Sequence, residues 1–60
     1  MIKVNTYPEP NILYLNKEEI SSIKVIPETF DSAAYMEISM KNGNFFKVYY
    51  NSDLEVELKK

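Results

Sequence analysis

The chain has 60 residues and a formal net charge of -2, with seven basic side chains, all Lys, against nine acidic ones. That length suffices for one small domain, residues 1–60. Because Cys and His are both absent, disulfides, Cys or His catalysis and thiolate or imidazole zinc sites are excluded. The scattered lysines and acidic balance predict no nucleic-acid partner. Because a chain this short buries little surface on folding, we expect either a very regular core or self-association.

Composition also bears on source and location. Phe, Tyr, Met, Ile, Asn and Lys, whose codons are AT-rich, make up half of the chain, whereas Gly, Ala, Arg and Pro are few. This bias predicts an AT-rich bacterium or its phage as the source. No apolar run approaches the roughly 18 residues of a membrane helix, and the first residues lack the apolar core of a secretory signal. We therefore expect a cytoplasmic protein without a membrane partner.

The first third of the chain is predicted to form two strands and a capped turn. Residues 2–7 alternate between apolar and polar side chains, which is typical of a strand. Two prolines within residues 7–11 predict a turn, because proline is excluded from central strands. Residues 12–15 are predicted to form the second strand. Asn16 is placed to cap a tight turn over residues 17–20.

The next segment is predicted to contain a third strand and a loop. Ile20 would fill the core from the tight turn. Residues 23–26 form the strand, which Pro27 ends. Residues 28–32 are expected to be a loop, with Phe30 folded back over an open end of the sheet.

A hairpin near residues 34–50 carries the clearest pattern. A two-residue turn at Asn42-Gly43 would mix apolar and charged residues on both faces. A three-residue loop, residues 41–43, with Gly43 in the left-handed conformation of a G1 bulge, separates them. We therefore predict the bulged hairpin, with the facing pairs Ala34–Tyr50, Met36–Val48 and Ile38–Phe46 on one side and Tyr35–Tyr49 and the ion pair Glu37–Lys47 on the other.

The tail satisfies two patterns. Residues 54–59 alternate strictly, which favours a strand after a turn at residues 51–53. The alternative is a short helix, although a helix of about eight residues is only marginally stable without tertiary contacts. It is supported by capping-box spacing, a leucine pair and an ion pair at i,i+4, namely Ser52–Glu55, Leu54–Leu58 and Glu55–Lys59. We favour the strand.

A family resemblance rests on Met1-Ile2-Lys3-Val4, Leu15-Asn16-x-Glu18-x-Ile20-x-x-Ile23, Pro27-Glu28-Thr29, Ile38-x-Met40-x-Asn42-Gly43, Phe46-x-Val48 and Ser52. In these residues the chain resembles the small flagellar-operon proteins of the FlbD (SwrD) type. The resemblance spans most of the chain but consists of strand pattern and turn residues, and it implies the fold more than a flagellar role. The chain departs from that family by an insertion at residues 30–34 and by a shorter tail.

Carboxylates are the main candidates for chemistry. Glu18 and Glu19 adjoin, and Asp53, Glu55 and Glu57 would line one face of a terminal strand and could hold Ca²⁺ or Mg²⁺. We favour a solvated, aggregation-resistant strand edge instead, because no loop with ligand spacing accompanies them. A chain this small has little volume for a core and a catalytic pocket, and a single Gly offers no phosphate-binding loop. We therefore predict no enzyme activity, no catalytic residues, no metal and no cofactor.

An aromatic face is the candidate site. In the bulged register, aromatic and charged side chains share the face opposite the core, together with Ser39. Tyr and Phe are enriched at protein interfaces, which predicts a protein or oligomeric contact here. Alternatively, a second helix or strand of the same chain covers these residues, or they are scattered apolar residues of an ordinary surface. The candidate interaction residues are Tyr35, Glu37, Phe45, Lys47 and Tyr49.

These expectations combine into one fold and three functions. The fold class is all-β, or α+β if the tail is helical: a small antiparallel meander of four or five strands with exposed edges. The first function is a non-enzymatic protein-binding module, an accessory or inhibitor protein acting through an acidic and aromatic surface. The second is a flagellar accessory protein of the FlbD/SwrD type. The third is a homo-oligomeric structural or nucleic-acid-binding protein.

Overall fold

The computed structural model describes all 60 residues and confirms a mostly β fold. Five strands form two antiparallel sheets, and one short helix follows them. The first sheet pairs β1 with β2, and the second has the order β3-β4-β5. The elements are β1 (Ile2–Asn5), β2 (Ile12–Leu15), a 3₁₀ turn (Lys17–Glu19), β3 (Ile20–Ile26), β4 (Tyr35–Met40), β5 (Phe45–Tyr49) and α1 (Ser52–Leu58).

The two sheets meet at a short seam, which we define as the pairing of Thr6 and Tyr7 with β5. Thr6 forms an isolated antiparallel bridge with Val48, and the backbone N–H of Tyr7 donates to the carbonyl of Lys47 at 2.8 Å. The seam places the strands in the spatial order β2-β1-β5-β4-β3. Two strand edges therefore stay open, one on β2 and one on β3.

The predicted turns of the first third are confirmed. Thr6 closes the turn that follows β1: its N–H donates to the carbonyl of Asn11 at 2.9 Å, and its hydroxyl donates to the carbonyl of Glu9 at 2.6 Å. The Tyr7–Pro8 peptide in this turn is cis. Asn16 caps the 3₁₀ turn, because its side chain accepts the N–H of Glu18 at 3.1 Å.

Strand β3 begins earlier than the predicted range of residues 23–26. Ile20 already pairs with Met40 on β4, and a bulge follows between Ile20 and Ser22. The carbonyl of Glu19 accepts the N–H of Lys41 at 2.7 Å, so the ladder starts as soon as the 3₁₀ turn ends. Ile20 is half-buried and packs against the core, as expected.

The bulged hairpin is confirmed. Met36 lies opposite Val48, Ile38 opposite Phe46 and Tyr35 opposite Tyr49. The loop covers residues 41–43, since Met40 donates its N–H to the carbonyl of Asn44 at 2.7 Å. Gly43 has φ of +92°, the left-handed region that glycine enters without a steric penalty from Cβ.

The core lies between the second sheet and a cover made of the first sheet and α1. β4 and β5 contribute three fully buried side chains, β1 and β2 contribute one each, and α1 contributes one. Half-buried apolar side chains, including Ile23 and Val25, surround this cluster. The buried residues are Val4, Leu15, Met36, Ile38, Val48 and Leu58.

The prediction that Phe30 folds back over the sheet is wrong. Thr29 and Ser32 form their own small bridge, with the N–H of Thr29 donating to the carbonyl of Ser32 at 2.9 Å. The hydroxyl of Thr29 also bonds to the carboxylate of Asp31 at 3.2 Å. This loop closes on itself, and Phe30 at its tip is fully exposed.

The favoured strand over the tail is also wrong, and the helical alternative is the observed structure. The helix α1 begins after Asn51, not after Ser52, because the side chain of Asn51 accepts the N–H of Leu54 at 3.1 Å. Leu58 is buried in the core and Leu54 packs against it. Docking of this leucine pair stabilises a helix that is too short to persist alone. With seven residues, α1 is far below the length of a membrane-spanning helix.

A small polar network on α1 gives a testable pH dependence. Lys59 donates to the carboxylate of Glu55 at 2.9 Å, and the hydroxyl of Tyr50 donates to the same carboxylate at 2.9 Å. These two hydrogen bonds, that of Lys59 first, lower the pKa of Glu55 below its ordinary value. A lowered pKa in the folded state stabilises the fold above the ordinary carboxyl pKa, and the effect disappears as the pH falls through the lowered value.

We therefore expect the stability of the wild-type chain to fall in acid more steeply than that of Glu55→Gln, which cannot titrate. Urea denaturation followed by circular dichroism between pH 7 and pH 3 measures this difference. Glu57→Gln is the matched control, since Glu57 takes part in no ion pair or side-chain hydrogen bond. Parallel pH profiles for wild type and Glu55→Gln would contradict the expectation.

Candidate functional site

The candidate site is the outer face, defined as the side of the β3-β4-β5 sheet opposite the core. The pairing register places Glu37 between Lys24 and Lys47, and Tyr35 between Ile26 and Tyr49. Ser39 lies between Ser22 and Phe45 in a third row. All five predicted interaction residues therefore share this face, because successive side chains of a strand alternate between its two sides.

A sixth residue, Tyr7, joins the face from outside the sheet. Its ring stacks on Tyr35 with centroids 4.5 Å apart and an interplanar angle of 8°, and it meets Tyr49 edge-on at 5.0 Å. Both are favourable aromatic geometries. We call Tyr7, Tyr35 and Tyr49 the tyrosine cluster. The predicted cross-strand pair of Tyr35 and Tyr49 is thus bridged by a third ring.

Two hydrogen bonds hold the tyrosine cluster in place. The hydroxyl of Tyr49 donates to the carbonyl of Pro8 at 2.7 Å, and the backbone of Tyr7 is fixed to Lys47 by the seam. Tyr35 and Tyr49 are half-buried as a result. The alternative of cover by a second helix or strand is not observed: the ring that lies against Tyr35 and Tyr49 comes from Tyr7 in the proline turn, and Phe45 remains exposed.

The predicted ion pair between Glu37 and Lys47 is wrong, although the two residues do face each other. The only ion pair in the structure joins Lys59 and Glu55. The ammonium of Lys47 instead lies 5.6 Å from the centroid of the Tyr35 ring, within cation–π range. The central row carries two lysines and one glutamate, so the charge on this face is mixed and not acidic.

Phe45 is the accessible apolar residue of the outer face. Its side chain is 50% exposed, while its neighbour in sequence, Phe46, turns to the core. It lies at the start of β5, opposite Ser39. The face therefore combines a fixed aromatic cluster, a row of alternating charge and one protruding phenyl ring.

The carboxylates of the tail do not lie together on one face. With the tail helical, Glu55 turns to Tyr50 and Lys59, while Asp53 and Glu57 border an open cleft of about 260 Å³ between α1 and strands β1 and β5. No three acidic side chains lie close enough to hold a metal ion together. Lys3 also borders this cleft, so the two carboxylates share it with a cation.

Sequence reasoning missed Tyr7 as a member of the site. It lies in the proline turn after β1, and neither strand periodicity nor hairpin register links it to residues 35 and 49. The single hint is that a large aromatic residue stands beside two prolines in an otherwise polar turn.

The chain was also compared with known proteins. No protein-family model, curated protein or solved structure matches the chain. The fold and the geometry of the outer face are thus the basis for a functional hypothesis.

Proposed function

We propose that the chain is a non-enzymatic protein-binding module, a small accessory or inhibitor protein of the bacterial or phage-infected cytoplasm, and that it binds its partner through the outer face. The observation that carries this proposal is the exposed ring of Phe45, which lies on the same face as the fixed tyrosine cluster. Aromatic residues presented in this way are typical of the centre of protein interfaces.

Rigidity supports the proposal on energetic grounds. Ordering a mobile side chain on binding costs about 0.5–1.5 kcal/mol, and this cost is avoided where the free protein already holds the bound geometry. Tyr35 and Tyr49 are held by Tyr7, and Tyr49 is also tied to Pro8. The face therefore loses little freedom when a partner covers it.

The charge pattern suggests the chemistry of the partner. Lys24 and Lys47 lie on either side of Glu37, and neither forms an ion pair within the chain. A complementary surface has an apolar pocket for Phe45 and acidic groups facing the two lysines, because interfaces place opposite potentials against each other. We propose a folded partner with such a pocket and an acidic rim.

Site-specific photo-crosslinking tests the proposal. A benzophenone amino acid replaces Phe45 in one variant and Val56 in the other, since these side chains are exposed to similar degrees, 50% and 60%. Both variants are irradiated in a nuclease-treated lysate of an AT-rich bacterium. We expect one protein to be captured from position 45 and not from position 56. Equal capture from both positions, or none from position 45, would contradict the use of this face.

Direct binding to the captured protein then tests the contact residues. We expect Phe45→Ala to weaken binding by about tenfold or more, as for a residue at the centre of an interface. Glu37→Lys makes the central row fully positive, and it should therefore strengthen the electrostatic attraction to the acidic rim of the partner. Val56→Ala is the matched surface control. Unchanged affinity in Phe45→Ala with a folded chain would exclude Phe45 from the interface.

A further inference from the structure

The free edge of β3 carries unpaired backbone groups. In an antiparallel ladder, alternate residues direct their N–H and C=O to one neighbour and the intervening residues to the other. Met40 bonds to Asn44 on the β5 side, so the odd-numbered residues of β4 bond to β3. Their partners are Ser22, Lys24 and Ile26. The backbone groups of Ile23 and Val25 therefore point outward, and no strand pairs with them.

This edge lacks the features that usually protect an open strand. Edges are commonly blunted by several charges, by proline or by extreme shortness. β3 has seven residues, its only charged side chain is Lys24, and proline occurs only after its end. The bulge at Ile20–Ser22 lies at its beginning and leaves the following residues regular. On the core side of the strand, Ile23 and Val25 are only half-buried.

We propose that β3 pairs antiparallel with β3 of a second copy of this chain, about a two-fold axis at Ile23. The side chains select this register. Pairing Ile23 with Val25 of the second copy would set Lys24 directly opposite another Lys24, which is unfavourable. An axis at Ile23 sets each Lys24 opposite Ser22 of the second copy and lets the two Ile23 residues exchange backbone hydrogen bonds. An axis at Val25 would place Pro27, which has no N–H, opposite Ile23 at a position where the ladder needs a donor.

The dimer continues the sheet across the axis. Residues that face each other in an antiparallel pair point to the same side, so the two core faces join and the two outer faces join. Ile23 and Val25 gain apolar neighbours from the second copy, which adds the burial that so small a chain lacks. The dimer interface is the backbone edge of β3, and it shares only Lys24 with the residues proposed to contact the partner. Dimerisation and partner binding can therefore be tested separately.

Mass measurement with charge variants tests the interface. We expect sedimentation equilibrium near 100 μM to give twice the 7.0 kDa of one chain. Ser22→Lys places a lysine opposite each Lys24 of the second copy and should weaken dimerisation about tenfold, since two like-charged pairs form. Ser22→Glu should strengthen it. Asn44→Lys, which adds the same charge at an exposed position next to the hairpin loop, is the matched control.

Disulfide formation tests the register. The chain has no Cys, so Ser22→Cys and Lys24→Cys each introduce a single thiol. Positions 22 and 24 of two copies lie about 4.5 Å apart between Cα atoms in the proposed register, whereas two copies of position 22 lie about 8 Å apart, beyond disulfide reach. We expect a mixture of the two variants to crosslink and each alone not to. A monomer, a dimer insensitive to Ser22→Lys, or crosslinking within one variant alone would overturn the proposal.

Discussion

Replacing Ile38 with Ala is expected to lower the free energy of unfolding by about 2–5 kcal/mol and to leave much of the chain unfolded at 37 °C. Ile38 is completely buried on the central strand of its sheet, opposite Ile23 on one side and Phe46 on the other. Removing its branched side chain leaves a cavity that backbone pairing on both sides prevents from collapsing. A core this small rarely supplies more than about 3–5 kcal/mol in total, so the loss approaches the entire free energy of unfolding.

Urea denaturation followed by far-ultraviolet circular dichroism measures the effect. Val56→Ala is the control, because Val56 is 60% exposed on α1 and Ala favours helix, so its stability should match or slightly exceed wild type. A cost below about 1 kcal/mol for Ile38→Ala would show that Ile38 is not at the centre of the core. Ile38→Val, which removes one methyl group, should fall between the two at about 0.5–1.5 kcal/mol.

Replacing Tyr7 with Ala is expected to have the second largest effect, a loss of about 2–3 kcal/mol. The change removes a stacked contact with Tyr35 and an edge contact with Tyr49, and aromatic pairs contribute about 0.5–1.5 kcal/mol each beyond the area that they bury. It also uncovers the two remaining rings. The near-ultraviolet dichroism of the tyrosines should weaken, while the far-ultraviolet signal of the sheets persists below the melting temperature.

Tyr7→Phe separates the ring from its hydroxyl. The structure gives the Tyr7 hydroxyl no hydrogen bond, so Phe should retain nearly all of the stability, within about 0.5 kcal/mol. Equal losses for Ala and Phe would assign the effect to the hydroxyl and contradict the stacking geometry. A negligible loss for Ala would show that the proline turn does not cover the outer face in solution.

The hairpin could be predicted because only one pairing register separates its core side chains from its charged ones. A shift of one residue at the loop would move Met36 or Val48 out of the core, and no other loop length separates apolar from charged residues on both strands. Gly43 then supplies the positive φ that the three-residue loop requires. Pattern and turn chemistry agree there, so local sequence determines the structure.

The tail could not be predicted in the same way, because alternation and i,i+4 spacing coexist in residues 54–59. What decides for the helix is a tertiary contact: Leu54 and Leu58 meet the core together only if the chain coils. The place of Tyr7 in the candidate site could not be predicted for a related reason. Its partners are 28 and 42 positions away, and only the folded sheet brings the three rings together.

The seam has a consequence for how the chain acquires its structure. The hydrogen bond from Tyr49 to Pro8 spans 41 positions, whereas the contacts of the β4–β5 hairpin are local. Closing short loops is faster than closing long ones, so the hairpin should form early and the N-terminal strands should dock onto it late. On the ribosome, the β1–β2 hairpin can dock onto β5 only after β5 has been synthesised. Truncation ahead of residue 48 would remove Val48, with which Thr6 pairs, so the N-terminal sheet would lose the strand against which it docks.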